Sequence, residues 1–117
     1  MTIKIYHNPR CSKSRQALQL LKDNGVEPEI KEYLKEGLTA VEIKQLLALC
    51  NSNPRDIMRK GETEYKENNL ANKNLSDEQL IEAIATYPKL LERPLVVCDD
   101  KVAVLGRPPE KILEILG

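Results

Sequence analysis

The chain of 117 residues contains no tryptophan and no phenylalanine, and only four tyrosines. A core must therefore come from Leu, Ile, Val and Ala, and few rings exist on which nucleobases could stack, which counts against a single-strand nucleic-acid binder. Excess charge of either sign is also missing: 18 basic residues balance 18 acidic ones. Nothing global draws the protein to nucleic acid or to a membrane surface. No run of about eighteen apolar residues occurs, so no membrane span is expected. The chain enters a strand pattern at once, without the apolar stretch of a signal peptide. Cysteine is scarce, odd in number and scattered, at Cys11, Cys50 and Cys98. That spacing excludes a disulfide framework and a C-x-x-C zinc pair. A reducing cytoplasm is the expected setting, in which an exposed thiol stays available. The length predicts one domain, large enough to bury a core without staples.

What is present is concentrated near the start. Ile3–Tyr6 reads as a strand and Ser12 onward as a helix, with His7-Asn8-Pro9-Arg10-Cys11 between them. A thiol at a helix start meets unpaired backbone N–H groups and the positive end of the helix dipole. Both favour thiolate, and Arg10, Lys13 and Arg15 add positive charge, so the Cys11 pKa should fall. A thiolate there is a nucleophile and half of an anion site. The alternative is a buried structural cysteine, to which three neighbouring cations and a preceding proline are poorly suited.

The remaining chain predicts a helix over Ser12–Asn24 stopped by Gly25, and a strand over Pro28–Leu34 ended by Gly37. Strand, helix, strand implies parallel pairing. Thr39-Ala-Val-Glu42 and Ser76-Asp-Glu-Gln79 are capping boxes that open two further helices. Asn53-Pro54 opens a third, carrying Ile57, Met58 and Arg59, and the polar stretch from Gly61 to Asn74 reads as irregular. Pro94–Cys98 and Val102–Leu105 form a hairpin around Asp99-Asp100-Lys101, and a last helix carries Ile112, Leu113, Ile115 and Leu116. Cys50 and Cys98 end apolar elements and read as core. Asp99-Asp100 reads as turn chemistry rather than a metal site.

The opening His7-Asn8-Pro9-Arg10-Cys11 with Ser14-Arg15 resembles the His-Asn-Pro-x-Cys-x-x-Ser-Arg motif of the glutaredoxin-coupled arsenate reductases, the ArsC family. Arg59-Lys-Gly-Glu62 with Tyr65-Lys66, Glu92-Arg93-Pro94-Leu95 and Gly106-Arg107-Pro108-Pro109 resemble the family's later motifs, in the same order. Many members have Gly-Thr after the cysteine; Ser12-Lys13 here resembles a less characterised branch. The resemblance implies an α/β, thioredoxin-like fold: βαβ, a helical insertion over about 38–90, then ββα, with a mixed four-stranded sheet flanked by helices. It implies Cys11 as nucleophile, with His7 helping to keep the thiol ionised and the Ser14 hydroxyl near the sulfur. Arg59, Arg93 and Arg107 would hold the oxyanion, and Pro94 would be a cis-proline. No metal or bound cofactor is implied; glutathione would be the co-substrate and glutaredoxin the protein partner.

Each of these residues has a plainer alternative. His7 could be a turn residue packed neutral against Tyr6. Arg59 could compensate a helix dipole, and Arg93 and Arg107 could be exposed loop charges. Two other functions also stay open. Cys11-Ser-Lys-Ser14 resembles a monothiol C-x-x-S site, so a glutathione-dependent oxidoreductase without arsenic specificity is one. A regulator that binds RNA polymerase is the other, although the C-x-x-C switch of that related branch is missing here, where position 14 is serine.

Overall fold

The computed structural model describes residues 2–116. Four strands, β1 (Ile3–Tyr6), β2 (Glu29–Lys31), β3 (Leu95–Cys98) and β4 (Val102–Leu105), form one sheet in the order β2-β1-β3-β4. β1 and β2 run parallel, and the β1–β3 and β3–β4 pairs are antiparallel. This is the mixed sheet of a thioredoxin-like fold. The chain divides into two compact units: one holds the sheet, running to Glu36 and resuming at Arg93, and the other is Gly37–Glu92.

In the sheet unit, period-2 alternation sends Ile3 and Ile5 to one face beside their partners Cys98 and Val96. Helix α1 (Ser12–Asp23) lays Ala17 and Leu21 against them, and Ile112 closes the same cluster. Helix α1 ends in a Schellman arrangement. The Gly25 N–H reaches Lys22 O and the Val26 N–H reaches Leu21 O, both at 3.0 Å, with Gly25 at φ +76°. Asp99 and Asp100 both take positive φ in the hairpin turn, a conformation Asp tolerates. The final segment, Pro109–Ile115, is a 3₁₀ helix that begins on a proline pair unable to donate backbone hydrogen bonds.

Strand β2 stops at Lys31, short of the expected Leu34. Tyr33–Glu36 instead forms a helical turn, α2, whose Glu36 carboxylate accepts the Glu32 N–H at 2.9 Å before Gly37 ends it at φ +82°. Tyr33, fully buried, supplies the packing that holds the turn.

In the second unit, helices α3 (Ala40–Cys50) and α5 (Asp77–Thr86) pack together through Ile43, Leu46 and Leu47 on one and Leu80, Ile81 and Ile84 on the other. Both expected capping boxes form, with Thr39 and Ser76 accepting from the N–H of Glu42 and Gln79. The Asn53-Pro54 helix is only a 3₁₀ turn over Pro54–Ile57, so Met58 and Arg59 are not helical. Met58 is extended and bridges Leu91, since the Arg59 N–H is drawn to Leu90 O and the Glu92 N–H to Ile57 O, each at 2.7 Å. The stretch from Gly61 to Asn74 is more ordered than its polarity suggests. It holds a short helix, α4 (Thr63–Glu67), and the Arg55 guanidinium gathers Tyr65 Oη, Leu70 O and Asn72 O at 3.3, 2.7 and 2.8 Å.

Candidate active site

The loop between β1 and α1 is shaped by its own short-range chemistry. Pro9 occupies the second position of a turn in which the Cys11 N–H reaches Asn8 O at 3.0 Å. The buried Asn8 side chain accepts the Arg10 N–H at 3.0 Å, and Arg15 Nη1 donates to Pro9 O at 2.9 Å. The His7 N–H ties the loop back to Lys31 O on β2. Cys11 therefore stands at the N-cap of α1 with extended φ/ψ of −93°/123°, and its side chain caps no helix N–H within hydrogen-bond reach.

Half-buried Cys11 titrates below the ordinary thiol range. Burial opposes ionisation, and it is outweighed by the Ser14 N–H, the Arg93 guanidinium acting through both a hydrogen bond and its charge, and the Lys13 N–H. The helix-start amides thus act as expected, and the side-chain cation on the sulfur comes from position 93. Arg15, one of the three neighbouring cations, is committed to the Pro9 carbonyl. The other two thiols go the opposite way. Burial pushes Cys50 up to about 11, and burial together with Asp99 raises Cys98.

Ser14 is fully buried one turn after Cys11. Its hydroxyl accepts the Asn8 N–H at 3.0 Å and lies 2.6 Å from His7 Nδ1. The hydroxyl proton is thus available to Nδ1, in the tautomer that keeps the His7 proton on Nε2. Burial lowers the His7 pKa, Glu32 works to raise it, and Arg15 and Lys22 lower it further, so the ring is neutral near pH 7. His7 is a buried, neutral ring bonded to Ser14, and its charge is not among the groups that act on Cys11. The Ser14 main-chain N–H lowers the Cys11 pKa while its hydroxyl serves the loop.

The Arg93–Pro94 and Arg107–Pro108 peptides are both cis. Arg107 Nη1 donates to Arg93 O at 3.2 Å, and the Gly106 N–H donates to Pro94 O at 2.8 Å, so the two Arg-Pro segments are joined. Gly106 is required there by close approach: a Cβ would come within 3.0 Å of Pro94 Cγ and 3.2 Å of Ile112 Cγ2. Arg93 and Arg107 thus share one corner of the sheet unit, with Arg93 on Cys11.

Arg59 belongs to the second unit, where its guanidinium is held by Glu62 at 3.0 Å and Glu92 at 3.2 Å. The extended Met58–Leu91 bridge sets Arg59 beside Glu92. Sequence reading missed three features here: the two carboxylates on Arg59, the buried Asn8 as organiser of the loop, and the second cis peptide. Asn8 was visible as part of the opening motif. The ion pair to Glu92 had no local signal. Among the described residues, no group of three or more His, Cys, Asp or Glu side chains could hold a metal ion, and no helix is long and apolar enough to cross a membrane.

The family model of ArsC matches residues 6–115. The chain is 54% identical over 116 residues to the Escherichia coli (strain K12) protein called "Uncharacterized protein YfgD", covering 98% of this chain and 97% of that one. It is 44% identical to a Haemophilus influenzae protein named arsenate reductase, over 99% of this chain and all of the relative. The solved structure of an arsenate reductase from Vibrio cholerae superposes with a TM-score of 0.95 at 47% identity, over 98% of both chains. With the Cys11 loop and the two Arg-Pro segments inside the matched span, the chain is a member of the ArsC family.

Proposed function

We propose that the protein is an arsenate reductase that uses Cys11 as its nucleophile and glutathione with glutaredoxin as its reductant. The observation that carries this reading is the place of Cys11 at the N-cap of α1, where the Ser14 and Lys13 N–H groups and the Arg93 guanidinium lower its pKa. Those donors suit a tetrahedral oxyanion as well as a thiolate, since guanidinium binds such oxygens in a bidentate fork. The ArsC relatives named arsenate reductase supply the substrate class.

In the proposed reaction the Cys11 thiolate attacks arsenic. An S–As bond forms, and one arsenate oxygen leaves as water after protonation. Glutathione thiolate then attacks the adduct. Arsenic gains two electrons and departs as arsenite, and Cys11 is left in a mixed disulfide with glutathione. Glutaredoxin thiolate takes the glutathione sulfur and restores the Cys11 thiolate, and a second glutathione then attacks the glutaredoxin–glutathione disulfide, leaving as glutathione disulfide and regenerating glutaredoxin. The sum is arsenate plus two glutathione giving arsenite, glutathione disulfide and water. Arg93 and Arg107 would hold oxyanion oxygens. Arg59 is assigned a share in oxyanion binding on the family motif alone. His7 and Ser14 position the loop.

Cys11→Ser should abolish arsenite production with glutathione and glutaredoxin present. A Cys11→Ser protein that still turned over arsenate would overturn the assignment. If wild-type protein reduces a glutathionylated peptide well but leaves arsenate untouched, the monothiol oxidoreductase reading replaces this one.

A further inference from the structure

The Arg59 guanidinium is closed by carboxylates from two sides. A guanidinium offers an oxyanion two forks, Nε with Nη2 along its side and Nη1 with Nη2 at its end. Here Nε meets Glu62 Oε1 at 3.0 Å and Nη1 meets Glu92 Oε1 at 3.2 Å, so each fork has one nitrogen already engaged. The backbone holds both carboxylates in place. Arg59 and Glu92 face each other because the Arg59 N–H reaches Leu90 O and the Glu92 N–H reaches Ile57 O, each at 2.7 Å. Glu62 caps the start of α4, and its N–H turns back to Arg59 O at 3.4 Å. The three side chains are only 23–27% exposed, which screens their charges less than those of a surface pair. Two carboxylates against one guanidinium leave an excess of negative charge, which repels an arriving anion.

We infer that Glu62 and Glu92 form a displaceable clamp on Arg59 and set the affinity for the oxyanion, which gains a full fork only by displacing one of them. The inference rests on the proposed share of Arg59 in oxyanion binding and deepens it by naming the two residues that oppose it. An anion that makes a single bond gains too little to open the clamp. A tetrahedral dianion makes two charge-assisted bonds to one fork and replaces the carboxylate that leaves. Binding is therefore an exchange of one anion for another, and the two glutamates determine its balance.

The test uses sulfate, a tetrahedral dianion that the Cys11 thiol does not reduce. Its affinity is measured by NMR titration of wild type, Glu62→Gln, Glu92→Gln and Arg59→Ala. Glutamine keeps an oxygen acceptor for the guanidinium and removes the charge. At least one glutamine variant should bind sulfate about fivefold more tightly, the worth of one such ion pair. Arg59→Ala should bind sulfate more weakly, and the same glutamine placed in Arg59→Ala should gain less than about twofold, since no fork is left to open. Glu67→Gln removes an exposed carboxylate of α4 outside the clamp and should change the affinity less than about twofold. No gain from either glutamine, an equal gain without Arg59 or from Glu67→Gln, or an unchanged affinity in Arg59→Ala would overturn the inference. Failure of the reductase reading is separately visible. Protein that gains sulfate affinity through Arg59 but yields no arsenite keeps the clamp and loses its substrate assignment. Protein that yields arsenite while neither glutamine tightens sulfate keeps the assignment and loses the clamp.

Discussion

Gly106→Ala should weaken both the fold and the thiolate, and its size follows from the geometry. The added methyl would lie 3.0 Å from Pro94 Cγ, 3.2 Å from Ile112 Cγ2 and 3.7 Å from Ala17 Cβ. The first two distances are a few tenths of an ångström too short, and neither neighbour yields easily. Pro94 is a ring, and Ile112 is fully buried against the sheet. Overpacking of this kind costs about 1–3 kcal/mol, which lowers the melting temperature by about 4 °C per kcal/mol in a domain of this size. The displaced atoms belong to the corner that holds Arg93 on Cys11, since Gly106 and Arg107 donate to Pro94 O and Arg93 O. The Cys11 pKa should therefore rise as stability falls. Urea denaturation gives the first quantity, and the pH dependence of Cys11 alkylation gives the second. Two other glycines serve as internal controls. A Cβ on Gly61 meets nothing within 4 Å, so Gly61→Ala should change stability by less than about 0.5 kcal/mol. Gly25 has equal space but φ +76°, so Gly25→Ala should cost about 1 kcal/mol through backbone strain and leave Cys11 alone. Should Gly106→Ala behave like Gly61→Ala, the close packing of the Arg-Pro segments is not what holds the site.

Ser14→Ala removes the acceptor of the Asn8 N–H and the partner of His7; denaturation should show a loss of about 1–3 kcal/mol for the stranded buried groups. Alkylation of Cys11 in that variant should keep a lowered midpoint, because it is the Ser14 main-chain N–H, not the hydroxyl, that lowers the Cys11 pKa. His7 has a folded pKa below its unfolded value. The unfolded chain therefore binds the extra proton first, and stability is lost as pH falls below about 6.5 toward the folded pKa. Urea midpoints across that window should show the acid loss in wild type and a smaller one in His7→Gln. Arg59→Ala should raise the KM for arsenate with the Cys11 alkylation midpoint unmoved, since Arg59 is not among the groups that lower it; an unchanged KM would remove Arg59 from the oxyanion site.

Local chemistry was the legible part of this sequence. The capping boxes at Thr39–Glu42 and Ser76–Gln79, the Gly25 stop and the hairpin at Asp99-Asp100 each depend on residues within four positions of one another. Cys11 at a helix start belongs to the same class, and its low pKa follows from amides that any helix start exposes. What escaped depends on distant partners. Arg59 and Glu92 are 33 residues apart and meet only because Met58 pairs with Leu91. The polar segment around α4 carries little apolar periodicity, and its order comes from one guanidinium, Arg55, reaching 15 and 17 residues ahead. Arg10, Lys13 and Arg15 looked like the charges around the thiol, yet proximity in sequence decided little: Arg15 turns to Pro9 O, and Arg93 supplies the guanidinium.

The most direct test of the account is the rate of Cys11 alkylation against pH, followed on the Cys11 peptide by mass spectrometry in wild type and in Arg93→Ala. The wild-type midpoint should fall below the ordinary value of about 8.5 and move up toward it when Arg93 is removed. A midpoint at or above 8.5, or one indifferent to Arg93, would contradict a thiolate held at this helix start by that guanidinium.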